Sequence, residues 1–243
     1  MANTSTPEIR KAATPAEVCK NLADYIVTEM GRKAGPFHIA LSGGSTPKLL
    51  FRLMAEEYQD KIDWSRLHCY WGDDRMVPYD SPESNYGMTK ELLFDHVPIP
   101  AENVHPVPTQ LEAEVAASAY TEAILQQLPK NEDGLPSFDI NLLGMGGDGH
   151  TASIFPDQME LLSDKRICAV ATHPETGQQR VTLTGPVINA SERIVFLVTG
   201  AGKAARLSQV LAGGEVGAPY PATHIQPPHG QLLWFVDEAA MTN

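Results

Sequence analysis

Six short apolar runs, Phe37–Leu41, Leu67–Trp71, Ile140–Leu143, Ile167–Ala171, Ile194–Thr199 and Leu232–Val236, punctuate the chain. Between them lie longer segments, Ala16–Met30, Pro47–Tyr58, Asn85–Phe94, Glu112–Leu128 and Lys203–Leu211, whose apolar residues recur every three to four positions. Runs of four to six residues with no polar face suit strands covered on both sides, and the periodic segments suit the helices that cover them. The alternation predicts an α/β fold: an open, mostly parallel sheet with helices on both faces. Two helix starts carry end signals. Thr46 before Pro47 reads as an N-cap with proline at the first helical position, and Ser84 reads as the cap of the segment that follows it. No internal repeat occurs, and the breaks at Pro98–Pro108, Lys130–Pro136 and Ala212–Gly230 bring no change of composition. One domain over residues 1–243 is expected, with residues 1–13 flexible.

Charge narrows the partners. Among 243 residues, 18 Lys and Arg stand against 30 Asp and Glu, a net charge of −12, with no basic run. Nucleic acid and anionic membrane surfaces are therefore not expected partners. Met1–Ala13 lacks an apolar core behind a basic head, and no apolar stretch approaches the ~20 residues of a membrane span. A cytoplasmic protein is expected. Cys19, Cys69 and Cys168 are odd in number and far apart, so they read as buried free thiols rather than a disulfide framework or metal site. The oligomeric state is open, with a monomer favoured.

In an open parallel sheet ligands bind beyond the carboxyl ends of the strands, so the loops leaving the strands are where chemistry belongs. Ser42-Gly43-Gly44-Ser45-Thr46 runs from a strand into a helix, and its free N–H groups at a helix start favour an anion such as phosphate. It lacks the Gly-Lys-Ser/Thr ending of a Walker A loop. Gly144 through Gly149 also completes a G-x-G-x-x-G, but Pro156 interrupts any early helix and no acid closes the following strand, so no dinucleotide cofactor is expected. That loop supplies His150, with Asp148 two residues before it to orient the imidazole, which suits general-base chemistry on water. Asp73-Asp74-Arg75 ends another strand and offers groups for a polyol and a phosphate. Lys203 opens a helix after Thr199-Gly200-Ala201-Gly202, and Arg180 is a further candidate cation. No spacing for a metal site and no G-x-S-x-G nucleophile elbow is present, so hydrolysis would use activated water.

Taken in order, Ser42 through Pro47, Gly72 through Arg75, Ser84 through Gly87, Leu143 through Pro156, Arg180 through Pro186 and Thr199 through Lys203 resemble the 6-phosphogluconolactonases, over roughly residues 14 to 236. Asp148-Gly149-His150-Thr151-Ala152-Ser153-Ile154-Phe155-Pro156 is the most specific stretch. The resemblance implies the Rossmann-like α/β fold shared with glucosamine-6-phosphate deaminases and sugar-phosphate isomerases. It also implies hydrolysis of 6-phospho-D-glucono-1,5-lactone, with His150 catalytic and Ser42, Gly43, Gly44, Ser45, Thr46, Asp73, Arg75, Asp148, Arg180 and Lys203 on the substrate. Neither metal nor cofactor is implied. The deaminase branch continues this loop Ile-Ala-Phe-Asn-Glu-Pro, and Phe155 stands where its ring-opening glutamate would be. Asp74 departs from the lactonase pattern, which carries glutamate there. A sugar-phosphate sensor without turnover and a dinucleotide-dependent oxidoreductase are the competing classes.

Overall fold

A computed structural model describes residues 7–242. The elements follow in the order β1 (Glu8–Ala12), α1 (Pro15–Arg32), β2 (Phe37–Leu41), α2 (Ser45–Glu57), β3 (Leu67–Trp71), β4 (Asp73–Arg75), α3 (Asn85–Leu92), α4 (Ala113–Gln127), β5 (Ile140–Leu143), β6 (Cys168–Thr172), β7 (Gln179–Leu183), α5 (Gly185–Asn189), β8 (Arg193–Val198), α6 (Ala204–Ala212), α7 (Gly214–Gly217), β9 (Gln231–Asp237) and α8 (Glu238–Met241). Six strands form a parallel sheet in the order β1-β9-β8-β5-β2-β3, and β4-β7-β6 form a second, antiparallel sheet.

Side chains alternate along a strand, so each central strand feeds two cores at once. Ile194, Phe196 and Val198 of β8 face one cluster while Val195 and Leu197 face the other. In β9 Leu232, Trp234 and Val236 face the first and Leu233 and Phe235 the second. The first core is closed by α4, α6 and the small sheet, the second by α1 and α2. This is why those runs lack a polar face.

The chain grows outward from β2 to β3, then returns to place β5 on the other side of β2 and continues to β8 and β9. Strand order therefore reverses between β2 and β5, and their two exit loops flank a crevice. At Gly72 the chain passes from β3 to β4: Gly72 N–H donates to Leu41 O at 2.9 Å, and Gly72 O accepts from Leu183 N–H at 2.8 Å. That junction ties the small sheet over the carboxyl end of the large one.

Three expectations need correction. Residues 8–12, expected to be flexible, form edge strand β1 paired with β9; their side chains are mostly solvent-facing, so no apolar run marks them. The remainder of that flexible stretch includes residues 1–6, which lie outside the described residues. The run at Ile167–Ala171 is strand Cys168–Thr172, but it pairs antiparallel with β7 in the small sheet. Helix α2 is capped by Gly44 rather than Thr46, because the Thr46 hydroxyl is engaged by Thr199 Oγ1 at 2.8 Å. Ser84 caps α3 as expected, accepting from Gly87 N–H at 3.0 Å.

At the opposite end of β2 and β3 the register sets His38 beside His68, and His105 stacks on both His68 and Tyr70 with ring centroids 5.5 and 4.4 Å apart. Burial first, then the neighbouring imidazoles and, for His38, Lys33, push His38 and His105 down to about 4. Below pH 6.5 the unfolded chain takes up these protons and the folded one does not, so stability falls as pH drops from 6.5 to 4. His38→Phe is expected to remove roughly 3 kcal/mol of that loss by pH 4, read as the difference between wild-type and variant urea-unfolding curves across the window.

Candidate active site

The two adjacent carboxylates of β4 have separate duties. Asp74, fully buried, accepts backbone N–H groups from Arg75 at 2.8 Å, Asn85 at 2.8 Å and Tyr86 at 3.0 Å, which pins the start of α3 to β4. Burial lifts its carboxyl to about 6 against the pull of those hydrogen bonds, and the Asp73 charge adds to the rise. Asn85 in turn donates through Nδ2 to Asp73 O at 2.9 Å and lies across Gly43, where a β-carbon would sit 1.9 Å from Asn85 Oδ1. Only glycine allows that approach.

The exit loop of β5 is folded on itself. Gly146 N–H donates to His150 O at 2.9 Å, and Gly149 N–H to Gly146 O at 3.2 Å. The Asp148 carboxylate accepts from His150 N–H at 3.1 Å and stands 2.7 Å from His150 Nδ1. A carboxylate can only accept here, so Nδ1 carries a proton, and in the neutral tautomer Nε2 is then the nitrogen with the free lone pair. Burial would raise the Asp148 carboxyl, but its bonds to His150 and the imidazole charge override it and hold it at about 2. A β-carbon on Gly146 would fall 2.2 Å from His150 Nδ1 and 2.4 Å from Asp148 Oδ1, so the pair depends on glycine at that position.

These loops enclose a cleft of about 220 Å³, lined by Ser42, Gly43, Gly44, Asp73, Arg75, Asn85, Gly144, Met145, Gly146, His150, Ala152, Arg180 and Lys203. Hollows of 620 and 730 Å³ along α2 and α3 are larger, but neither is lined by a site residue predicted from the sequence. The small cleft is where cations and imidazole converge. Arg75 Nη1 donates to Glu83 O at 2.7 Å, while Arg75 Nε and Arg180 Nε are buried without an acceptor among the described residues. Arg180 Nη1 stays 4.0 Å from Asp73 Oδ2. Burial lowers the pKa of Arg180 and of Lys203, with Asp73 opposing it at the first and Asp148 at the second. Three cations with spare donors beside the start of α2 make a site for an anion.

Most of the predicted residues thus come together. Ser45 and Thr46 do not line the cleft: Ser45 faces solvent and Thr46 bonds Thr199, so this loop meets the cleft through Ser42, Gly43 and Gly44. Asp148 is likewise absent from the cleft wall and acts on His150. Asn85, Met145 and Ala152 line the cleft; they belong to the motif stretches but were not among the expected substrate contacts, and the cap at Ser84 was the signal that an ordered residue follows it. Among the described residues no three His, Cys, Asp or Glu side chains converge as metal ligands.

The family profile described as glucosamine-6-phosphate isomerases/6-phosphogluconolactonase matches residues 13–234. The 6-phosphogluconolactonase of Haemophilus influenzae is 44% identical over 207 residues, covering 85% of this chain and 87% of that protein. The structure of 6-phosphogluconolactonase from Trypanosoma brucei superposes with a TM-score of 0.85 at 32% identity, covering 96% of this chain and 97% of that one. A monomeric glucosamine-6-phosphate deaminase superposes with a TM-score of 0.76 at 20% identity, covering 96% and 98% of the two chains, which extends the likeness in fold.

Asp74 serves construction, and its loss should appear in stability. Asp74→Ala strands three backbone N–H donors and is expected to cost roughly 3 kcal/mol in urea unfolding, whereas Asp74→Asn keeps an acceptor oxygen and costs less.

Proposed function

The chain belongs to the family of glucosamine-6-phosphate isomerases and 6-phosphogluconolactonases, and from that premise we infer that it hydrolyses 6-phospho-D-glucono-1,5-lactone to 6-phospho-D-gluconate, the second step of the oxidative pentose phosphate pathway. It is a carboxylic ester hydrolase of the lactonase kind. The observation that carries the mechanism is the His150 imidazole, tied at Nδ1 by Asp148 and set in the wall of a cleft with three cations.

His150 Nε2 takes a proton from water as the water oxygen attacks the lactone carbonyl. Asp148 stabilises the imidazolium that forms, as a carboxylate does behind any such base. Collapse of the tetrahedral intermediate breaks the bond to the ring oxygen, which receives the proton back from His150. Arg75, Arg180, Lys203 and the amides at Gly43 and Gly44 stabilise the charge of the phosphate and that which develops on the carbonyl oxygen. Asp73 accepts hydrogen bonds from the sugar hydroxyls. The lactone is already reactive, so a base contributing ~10²–10⁴-fold together with fixed charges is sufficient.

The deaminase alternative is disfavoured by Phe155. Its ring is buried with its centroid 4.9 Å from that of His150, and it brings no ionisable group to the place where the deaminase loop carries glutamate. We assign the protein to the cytoplasm, in keeping with its three buried free cysteines. No described helix is long and apolar enough to cross a membrane.

Loss of freshly prepared lactone, corrected for its spontaneous hydrolysis, tests the assignment. His150→Ala is expected to lower kcat at least ~100-fold, and retention of more than about a tenth of it would remove His150 as the base. Asp73→Asn is expected to raise KM about tenfold or more, since it weakens an acceptor for substrate hydroxyls.

A further inference from the structure

The segment after the catalytic loop, Thr151–Phe155, contributes almost nothing to the cleft wall, yet three independent features mark it. Ala152 has φ of +47°, the one positive value outside glycine among the described residues, and strain of that kind persists only where surrounding contacts enforce it. Ser153, with none of its surface accessible, donates from Oγ to Asp73 Oδ2 at 2.6 Å, while its own N–H is held by Thr182 Oγ1 at 3.2 Å. Phe155 is wedged among site side chains: its ring centroid is 4.9 Å from that of His150 and 5.5 Å from the Arg180 guanidinium carbon.

We propose that this turn is the positioning element of the site, with Ser153 aiming Asp73 and Phe155 seating His150. Asp73 has few other constraints. It belongs to the short strand β4, and its cationic neighbour Arg180 stands 4.0 Å away, too far for a firm hydrogen bond. The Ser153 hydroxyl is the close donor to its carboxylate, and it selects the rotamer in which Oδ2 points inward and Oδ1 is left for the substrate. His150 is fixed by Asp148 at one ring edge only, and an imidazole hinged at one edge can still tilt. The Phe155 ring supplies the second constraint, and because it also touches Arg180, the base and a substrate cation rest on one apolar wedge. The strained Ala152 sets the directions of both: it turns the chain so that Ser153 faces β4 and Phe155 faces back under His150. Neither Ser153 nor Phe155 lines the cleft, so both act through the residues they hold.

The proposal rests on the roles given above to Asp73 and His150, and steady-state kinetics of four variants separates the two. Ser153→Ala is expected to raise KM about tenfold with kcat within threefold of wild type. In an Asp73→Asn background the same change is expected to alter KM by less than twofold, since the residue it acts through has already been altered. Phe155→Leu is expected to lower kcat at least tenfold with KM within threefold. A merely structural role would lower the thermal midpoint of each variant without dividing KM from kcat in this way. If Asp73→Asn leaves KM unchanged, the role of Asp73 is wrong. If Asp73→Asn raises KM and Ser153→Ala does not, or the two effects multiply in the double variant, the positioning role of Ser153 is wrong while the function stands. Phe155→Leu with kcat within twofold of wild type overturns the seating of His150, and that arm decides alone should Ser153→Ala fail to fold.

Discussion

Two neighbouring carboxylates, Asp73 and Asp74, are buried where the chain leaves the central sheet at Gly72, and each must find hydrogen-bond donors there. Water is excluded from Asp74, so an unsatisfied oxygen there would cost several kcal/mol, whereas Asp73 turns one oxygen inward and keeps the other at the cleft. Asp74 is satisfied by backbone amides, and in taking them it fixes the first turn of α3. Asp73 is satisfied by the Ser153 hydroxyl and stays near Arg180. The demands of two adjacent residues thereby join β4, α3, the loop after β5 and β7 into one assembly. The cleft is the space left between them.

Charge on this scale is local. The chain carries a net −12, yet the proposed substrate is an anion, and the whole-molecule field does not favour its approach. What favours it is the density of donors in one place: Arg75, Arg180 and Lys203, two of them with pKa lowered by burial, and backbone amides at a helix start. A cation pushed toward its neutral form by desolvation gains when an anion enters and restores a counter-charge. The same desolvation shapes the histidine cluster at the other end of β2 and β3, where burial and the neighbouring imidazoles push His38 and His105 toward the neutral form.

Legibility followed the reach of the forces involved. Runs such as Phe37–Leu41 and Ile140–Leu143 were readable because both faces of a central strand are apolar, a property of the run itself. Ser84 was readable as a cap because the bond it accepts spans three residues. Strand β1 was not, since an edge strand exposed on most sides has no apolar signature, and β6 was read as a strand but assigned to the wrong sheet, because pairing partners are chosen by distant residues. Thr46 was read as a cap by local rule, and a tertiary contact with Thr199 took its hydroxyl away.

The same division holds for the site. His150 with Asp148, the glycines beside them, the glycine-rich loop after β2 and the cations at strand ends were legible, because their chemistry is carried by residue type and by spacings of a few positions. The division of labour between Asp73 and Asp74, the place of Asn85 against Gly43 and the turn that holds Asp73 through Ser153 were decided only by the tertiary structure. Those contacts join residues 11 to 80 positions apart, and nothing but the packing of two cores against one sheet brings them together.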